Sequence, residues 1–457
     1  MTFGIVSTRG FRFQSTVLDS GNCSIRIIGV PVERREFKRT MFKGKSSKKH
    51  MADENKKRIL QIFPYYFPPD VPDNGGGVKR AAVTLISGLA DSSFETYVLV
   101  PKKNSAYDQA FLEAGGKNIL DLGDAQHLVL EFSRIREKTY LIQYGLRLWR
   151  SVVKIRRLIR EHDIQLVHSH ASSFLGGAIA ARISGVPNVI HVHEYGFRLS
   201  ALANRFYYSV VPRLADRIAT CAEFIRQGFI SNGSSLASVK TIYNGVDLDY
   251  FSTKAIEPRG AFMEELNVDS DTWLVGFVGR FTERKGVDIF VNSAIKVLKV
   301  RTDVVFVVIG GADDHVREER EYKESVIGEV RASGFTDKFR FVGGRTDMPA
   351  VYGILDLLVF CSPQDMGPLV PLEAMAMGTP VVVASEGGAR EEVNDGVTGV
   401  IVDSGKTDDI CGTILDLMNS RTKVVDMSAN TREHVENQFS QERYVSEFSR
   451  LYDELLG

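Results

Sequence analysis

From Arg58 onward, short apolar runs alternate with amphipathic stretches in a steady rhythm. RILQIF, TYVLV, IQLVHSH, NVIHVHE and DRIATCA are each followed by a helical stretch; the first of these, after a glycine loop, spans Val78 to Leu89. Buried runs of this kind separated by helices predict a parallel sheet covered on both faces. The segment VKTIYNGVDLDYF closes this half. A second alternation opens at Trp273 with LVGFVG and continues through VVFVVIGG, FRFVGG, DLLVFCS, PVVVAS and GVIVD. Two Rossmann-like domains of about 190 residues each follow from that count. The tail reads as one more helix, with Ser440 as N-cap and Tyr444, Phe448, Leu451, Tyr452 and Leu455 on one face. The expected division is 1–56 extension, 57–245 first domain, 246–435 second domain and 436–457 terminal helix.

Composition agrees with a soluble enzyme: 457 residues are too many for one ordinary core, and 44% are hydrophobic against 25% charged. Formal net charge is zero but unevenly spread. Residues 1–57 hold 13 Lys/Arg against 5 Asp/Glu, a local excess of +8 that the remaining 400 residues balance. This extension lacks the apolar core of a secretory signal, and its acids argue against a transit peptide. It reads either as a disordered tail or as sequence upstream of a start at Met51. No apolar run approaches the roughly 18–20 residues that span a bilayer. Cys23, Cys221, Cys361 and Cys411 form no Cys-x-x-Cys pair, which argues against zinc and disulfides and suits a reducing cytoplasm.

The chemistry concentrates between Cys361 and Arg390, CSPQDMGPLVPLEAMAMGTPVVVASEGGAR. Asp365 and Glu373 bracket a Gly/Pro turn, Glu373 is expected to open a short helix to Met377, and Val381 to Ala384 forms the next strand. Pro371 suits a first helical turn, and an acid there agrees with the helix dipole. Loops at carboxyl ends of parallel strands, with exposed helix N–H groups, gather polar ligands. The stretch resembles the signature of the retaining glycosyltransferases of family 4: Glu, seven residues, Glu, then Ala-Met-Ala. Asp365 stands in place of the first Glu, and the turn carries a Pro-Leu-Val variant. The likeness covers roughly residues 57–457. It implies an α/β GT-B architecture, two Rossmann-like domains facing a central cleft, with the C-terminal helix crossing back to the first.

The resemblance assigns residues. In GFVGRFTERKG, Gly-Arg-(four residues)-Lys-Gly runs from Gly279 to Gly286, so Arg280 and Lys285 would hold a nucleotide-sugar diphosphate. Guanidinium forks and an ammonium suit phosphate oxygens. Glu373 would hold the ribose hydroxyls and Asp365 those of the donor sugar. The Asp365 carboxylate is retracted by about an ångström relative to a Glu, which bears on sugar preference. Gly367, Leu369 and Val370 would donate backbone bonds, Pro368 having no N–H. Arg345 would lie near the base or serve in a salt bridge. Gly76 and Gly77 would face the cleft from the first domain, with Lys79 and Arg80 following. His193, in His193-Glu194, would sit near the donor sugar with His170 behind it; the alternation puts His191 on the same side as His193.

Asp247-Leu-Asp249 imitates a metal motif but lies in a segment resembling the interdomain hinge, and nothing else in the sequence offers a metal ligand set. No cofactor, no metal and no nucleic-acid partner are expected. Residues 134–160 carry nine Lys/Arg against Glu137 alone. That stretch is either a membrane-surface helix or the solvated face of a buried one. The expected activity is retaining transfer from a UDP- or GDP-sugar to a glycan or lipid-linked acceptor. Its setting is cell-surface polysaccharide or glycolipid synthesis, in the cytoplasm and at the inner membrane face. The alternatives are a nucleotide-sugar epimerase, a non-catalytic nucleotide-sugar-binding protein, and an NAD-linked oxidoreductase, for which no Gly-x-Gly-x-x-Gly follows a strand.

Overall fold

The computed structural model describes residues 56–64, 76–103, 105–123, 138–193, 201–252, 259–313, 315–362, 364–403 and 406–457. The basic extension, most of the glycine-rich segment before Gly76, residues 134–137 and Glu194 lie outside these.

Two parallel sheets form, each from one of the alternating halves. The first holds β1 (Lys57–Ile62), β2 (Phe94–Val100), β3 (Asn118–Asp121), β4 (Leu166–Ser169), β5 (Asn188–Val192), β6 (Arg217–Thr220) and β7 (Val239–Thr241), in the order β3-β2-β1-β4-β5-β6-β7. The second holds β8 (Trp273–Val278), β9 (Val304–Ile309), β10 (Phe339–Gly343), β11 (Leu357–Phe360), β12 (Val381–Ala384) and β13 (Gly399–Val402), in the order β10-β9-β8-β11-β12-β13. Strand order reverses beside β1 in the first sheet and beside β8 in the second. At such a switch point neighbouring connections leave in opposite directions and open a crevice at the carboxyl ends. The glycine loop follows β1, the Arg280–Lys285 turn follows β8 and Asp365 follows β11, so both switch points contribute to one site.

The halves are tied where Val246 pairs with Ser440: the Val246 N–H donates to Phe439 O at 2.8 Å and the Gln441 N–H to Val246 O at 2.9 Å. Ser440 caps the terminal helix Gln441–Leu456 by accepting from the Arg443 N–H. That helix returns to the first domain. Tyr444, Phe448, Leu451 and Tyr452 pack with Ile59, Leu85, Leu89 and Leu166. Helix Gly77–Leu89 lies close against it, for a Cβ on Gly88 would stand 2.3 Å from Val445 Cγ2.

Two local expectations need correction. The strand β3 has no apolar run in the sequence; NILD sits at the sheet edge with only Ile119 well buried. The helix carrying Glu373 spans Leu369–Ala376, so Glu373 stands in its second turn and no acid lies in its first. Pro371 occupies the third helical position, where the missing N–H would have been unpaired anyway.

Candidate active site

The acid pair is deeply buried: Asp365 is 8% exposed and Glu373 1%. Such carboxylates need partners, and the fold supplies cations from several elements. The β8 turn brings Arg284 and Lys285 onto the Asp365 carboxylate, one to each oxygen. Burial alone would push the Asp365 carboxyl up, but these two cations together hold it below its ordinary value. Burial lowers the Lys285 ammonium, against the pull of Asp365. The Asp365 carbonyl accepts from the Gly388 N–H at 2.7 Å, and a Cβ on Gly388 would lie 1.8 Å from Met366 O, so glycine is required there. Arg280 instead pairs with Glu319 in the first turn of helix Arg317–Ser333, which follows β9, and Glu319 also accepts from the Asp313 N–H at 2.9 Å.

Glu373 is met from both domains. Tyr352 donates its hydroxyl at 2.9 Å, and Arg80, three residues into helix Gly77–Leu89, pairs with the other oxygen across the cleft. Two further contacts cross here. The Asn244 side-chain amide donates to Gly367 O at 2.7 Å. The Glu391 carboxylate accepts from the Glu223 and Phe224 N–H groups at 2.6 and 2.9 Å and from the Tyr243 hydroxyl at 3.1 Å. It thereby caps helix Glu223–Ser231 of the first domain, where the dipole favours an anion. The two domains are therefore in contact around the acid edge.

Among the described residues, no heavy atom lies within 4 Å of where a Cβ on Gly76 or Gly77 would stand. Such room at a helix start is what ligand approach to N–H groups requires. Leu369 and Val370 occupy the first two positions of the opposing helix, whose own first-turn N–H groups lack intrahelical partners.

Residues 75–250 match the family model Glycosyltransferase Family 4, and residues 258–434 match Glycosyl transferases group 1. A GDP-mannose-dependent alpha-(1-6)-phosphatidylinositol monomannoside mannosyltransferase of Mycobacterium tuberculosis is 30% identical over 324 residues, covering 67% of this chain and 79% of that protein. The chain belongs to the family 4 glycosyltransferases. An Escherichia coli UDP-Gal:alpha-D-GlcNAc-diphosphoundecaprenol alpha-1,3-galactosyltransferase is 24% identical over 320 residues, covering 67% of this chain and 80% of that one. Among solved structures, HepE of Anabaena in complex with UDP superposes with a TM-score of 0.71 at 20% identity, over 87% of this chain and all of that one. Sucrose-phosphate synthase of Thermosynechococcus elongatus gives 0.68 at 20% identity, over 88% and 99%. The shared fold is GT-B.

Other expected site residues of this glycosyltransferase fall out differently. Arg345 is engaged: it pairs with Asp347 and with Glu265 at 2.7 and 2.6 Å and lies 4.2 Å over the Phe262 ring. Of its two readings, the salt bridge is what the described structure displays. Asp247 accepts from the N–H groups of Asp249 and Tyr250, both at 3.0 Å, so its carboxylate closes a turn within the hinge. His193 directly follows β5 with its ring centroid 3.8 Å from that of His191, and burial pushes it down to about 3, so it is a neutral imidazole. Its Nε2 has no hydrogen-bond partner. His168, His170 and His191 converge beside it with donor atoms within 4.8 Å of one another, a ligand set that the sequence pattern did not disclose.

The sequence reading also passed over Arg284, Tyr352, Asn244 and Glu391. Arg284 adjoins Lys285 and was legible as a third cation of the same turn; the others depend on tertiary contact. Arg80→Ala leaves Glu373 with Tyr352 alone. A thermal or urea double-mutant cycle with Glu373→Gln is expected to show a coupling of about 0.5–3 kcal/mol. Additive single effects would mean that the cross-cleft pair contributes nothing.

Proposed function

We propose that this glycosyltransferase moves a hexose from a UDP- or GDP-sugar to a hydroxyl of a glycan or lipid-linked acceptor, with retention and without a catalytic metal. The observation that carries the reading is the acid edge itself. Asp365, with Lys285 and Arg284 upon it, and Glu373, with Arg80 and Tyr352 upon it, flank one helix start. A donor entering there exchanges partners: ribose hydroxyls donate to Glu373, sugar hydroxyls to Asp365, and the diphosphate takes up the freed cations. The acceptor hydroxyl attacks on the face that the diphosphate vacates, and its proton passes to the leaving diphosphate oxygen. The bond to the anomeric carbon is thus exchanged without inversion. Charge grows on the diphosphate in the transition state, where Lys285, Arg284 and Arg280 stabilise it most.

The mannosyltransferase and galactosyltransferase relatives name GDP-mannose and UDP-Gal as donors and lipid-bearing acceptors. They favour a sugar nucleotide over NAD and a glycolipid or polysaccharide setting. The nucleotide is tested by a thermal-shift panel of UDP, GDP, ADP and NAD, each with and without Mg²⁺. At about 100 times its Kd the right nucleotide stabilises by roughly 2.7 kcal/mol. A metal-independent shift with UDP or GDP alone is expected; silence from both would sink the donor site. Radiolabelled product analysis then separates transfer from epimerisation, since an epimerase converts the donor with no acceptor present.

Helix Lys138–Glu161 supports a membrane-linked acceptor. Tyr144, Val152, Ile155 and Ile159 bury one face. On the opposite face Ile142, Leu146, Trp149 and Val153, spaced four, three and four apart, are 65, 60, 63 and 49% exposed. Arg150, Arg157 and Arg160 are exposed around that stripe. An apolar ridge edged by guanidinium groups fits an anionic lipid surface. Trp149→Glu is expected to weaken sedimentation with anionic vesicles by about tenfold or more while leaving the melting temperature in place. Unchanged co-sedimentation would remove the membrane role. No helix among the described residues is long and apolar enough to cross a bilayer.

A further inference from the structure

Beneath the cleft side of the first sheet, the chain gathers imidazole nitrogens in excess of their hydrogen-bond partners. His168 and His170 come from the end of β4, His191 and His193 from the end of β5. The parallel register sets His168 opposite Val189 and Ser169 opposite Ile190, bringing the two His-x-His runs side by side. His168, His170 and His191 are all 0% exposed, and one ring nitrogen from each lies within 4.8 Å of the others. The rings of His168 and His170 stack at 4.3 Å.

Among the described residues, two of the ring nitrogens of His168, His170 and His191 have partners. His170 Nε2 lies 2.8 Å from Gln61 Oε1, and an amide oxygen can only accept, so the His170 proton sits on Nε2 and Nδ1 keeps its lone pair. His168 Nδ1 lies 2.6 Å from the Tyr452 hydroxyl, which also accepts from the Gln61 side-chain amide at 3.1 Å. His168 Nε2, His170 Nδ1 and both nitrogens of His191 have none, and neither has His193 Nε2. Burial, reinforced by each other's proximity, holds all three rings well below the ordinary histidine value and therefore neutral. Protonation cannot satisfy such a group, and orphaned buried polar atoms call for an occupant.

We propose that His168, His170 and His191 bind one Zn²⁺ ion, with Gln61 and Tyr452 as the outer hydrogen-bonding shell. Neutral imidazoles are good ligands for this ion, and three of them with a fourth, solvent-derived position make a familiar zinc coordination. Outer partners that fix the tautomer of ligating histidines are a general companion of such sites. Here Gln61 does so for His170 as it stands. For His168, zinc at Nε2 places the proton on Nδ1, which then donates to the Tyr452 oxygen. Zn–N bonds of about 2.0–2.1 Å require the rings to draw together by roughly an ångström. Phe448 and Tyr452 of the terminal helix pack on His168, with ring centroids 5.0 and 5.9 Å away. The ion therefore braces β4, β5 and that helix. It does not touch the donor diphosphate, and the proposal stands independently of which nucleotide is used.

The test uses the full chain with any affinity tag removed, stripped by chelator and titrated with Zn²⁺ against a chromogenic competitor. One zinc per chain by elemental analysis and a rise of several degrees in Tm are expected. His191→Thr and His168→Asn should each weaken zinc by at least about 100-fold, and Tyr452→Phe by about 10-fold or more. Circular dichroism and gel filtration check that the variants are folded. X-ray absorption on the wild-type chain needs no variant, and should show a nitrogen shell at about 2.0–2.1 Å with an imidazole scattering pattern. Substoichiometric zinc on the wild type, a sulfur-containing shell, or equal affinity in folded His191→Thr and His168→Asn would overturn the assignment.

Discussion

Lys285→Ala is expected to lower kcat/KM by about 10²–10³-fold, in the range for removing one preorganised charge partner from a developing anion. Its side chain is 19% exposed, with the ammonium fixed on Asp365 and 5.9 Å from the Phe360 ring centroid, so little reorganisation is needed when the diphosphate arrives. Stability should fall by far less, because Arg284 still pairs with Asp365 in the variant. An Arg284→Ala control separates the two cations. Arg284 is 51% exposed, and a charge so open to water is screened. Its removal should therefore reduce turnover less than that of Lys285. The measurement is initial-rate kinetics with the donor found in the thermal-shift panel, alongside Tm for each variant. Wild-type turnover in Lys285→Ala would remove the diphosphate role from this turn and with it the mechanism above.

Acid should destabilise the metal-stripped chain before the Asp365 carboxylate protonates. His168, His170 and His191 are neutral and fully buried, with pKa values held well below the ordinary one, whereas in the unfolded chain each titrates near 6.5. The unfolded state therefore binds more protons between those limits, and stability falls as pH falls. It is complete above about pH 6.5 and declines below it, down to the folded pKa values. Each residue contributes up to about 1.4 kcal/mol per pH unit over the range in which only the unfolded chain takes up the proton. His193, held down to about 3 by burial, acts in the same direction. Asp365 acts in the same direction but lower: its depressed carboxyl protects stability above about pH 4 and loses it below. The histidines thus decide the first transition. Urea midpoints followed from pH 7.5 to 5 in the presence of EDTA should drop as pH falls, and folded His191→Thr should flatten the slope. A pH-independent midpoint would contradict the neutral, buried cluster.

Much of the architecture was legible because parallel strands buried on both faces must be written as continuous apolar runs. LVGFVG, VVFVVIGG and PVVVAS are short runs rich in β-branched valine, which favours strand over helix, and β12 falls on Val381–Ala384 as the sequence predicts. The terminal helix was equally plain, its apolar face repeating at helical spacing behind the Ser440 cap. NILD was not, because an edge strand with one buried side chain carries no such run. The start of the helix bearing Glu373 was misplaced for a related reason: LVPLEAMA is almost entirely apolar, so its periodicity marks no beginning. Asp365, Glu373 and Lys285 were singled out because their identities and spacing are local, and the structure brings Lys285 onto Asp365.

By itself, then, the sequence determined two alternating α/β halves, a pair of acids around a Gly/Pro turn, a cationic turn and a terminal helix. Each is encoded in neighbouring residues, through burial periodicity, capping and fixed spacing, whereas the return of that helix to the first domain is a tertiary contact. Tertiary structure alone decided which charges meet. Arg80 reaches Glu373 only because the domains face each other, and Arg284 rather than Arg280 joins Lys285 on Asp365 because of how the turn after β8 is directed. Likewise, His168 and His191 come together through the register of β4 against β5, which the pairing of whole strands settles and no local pattern contains.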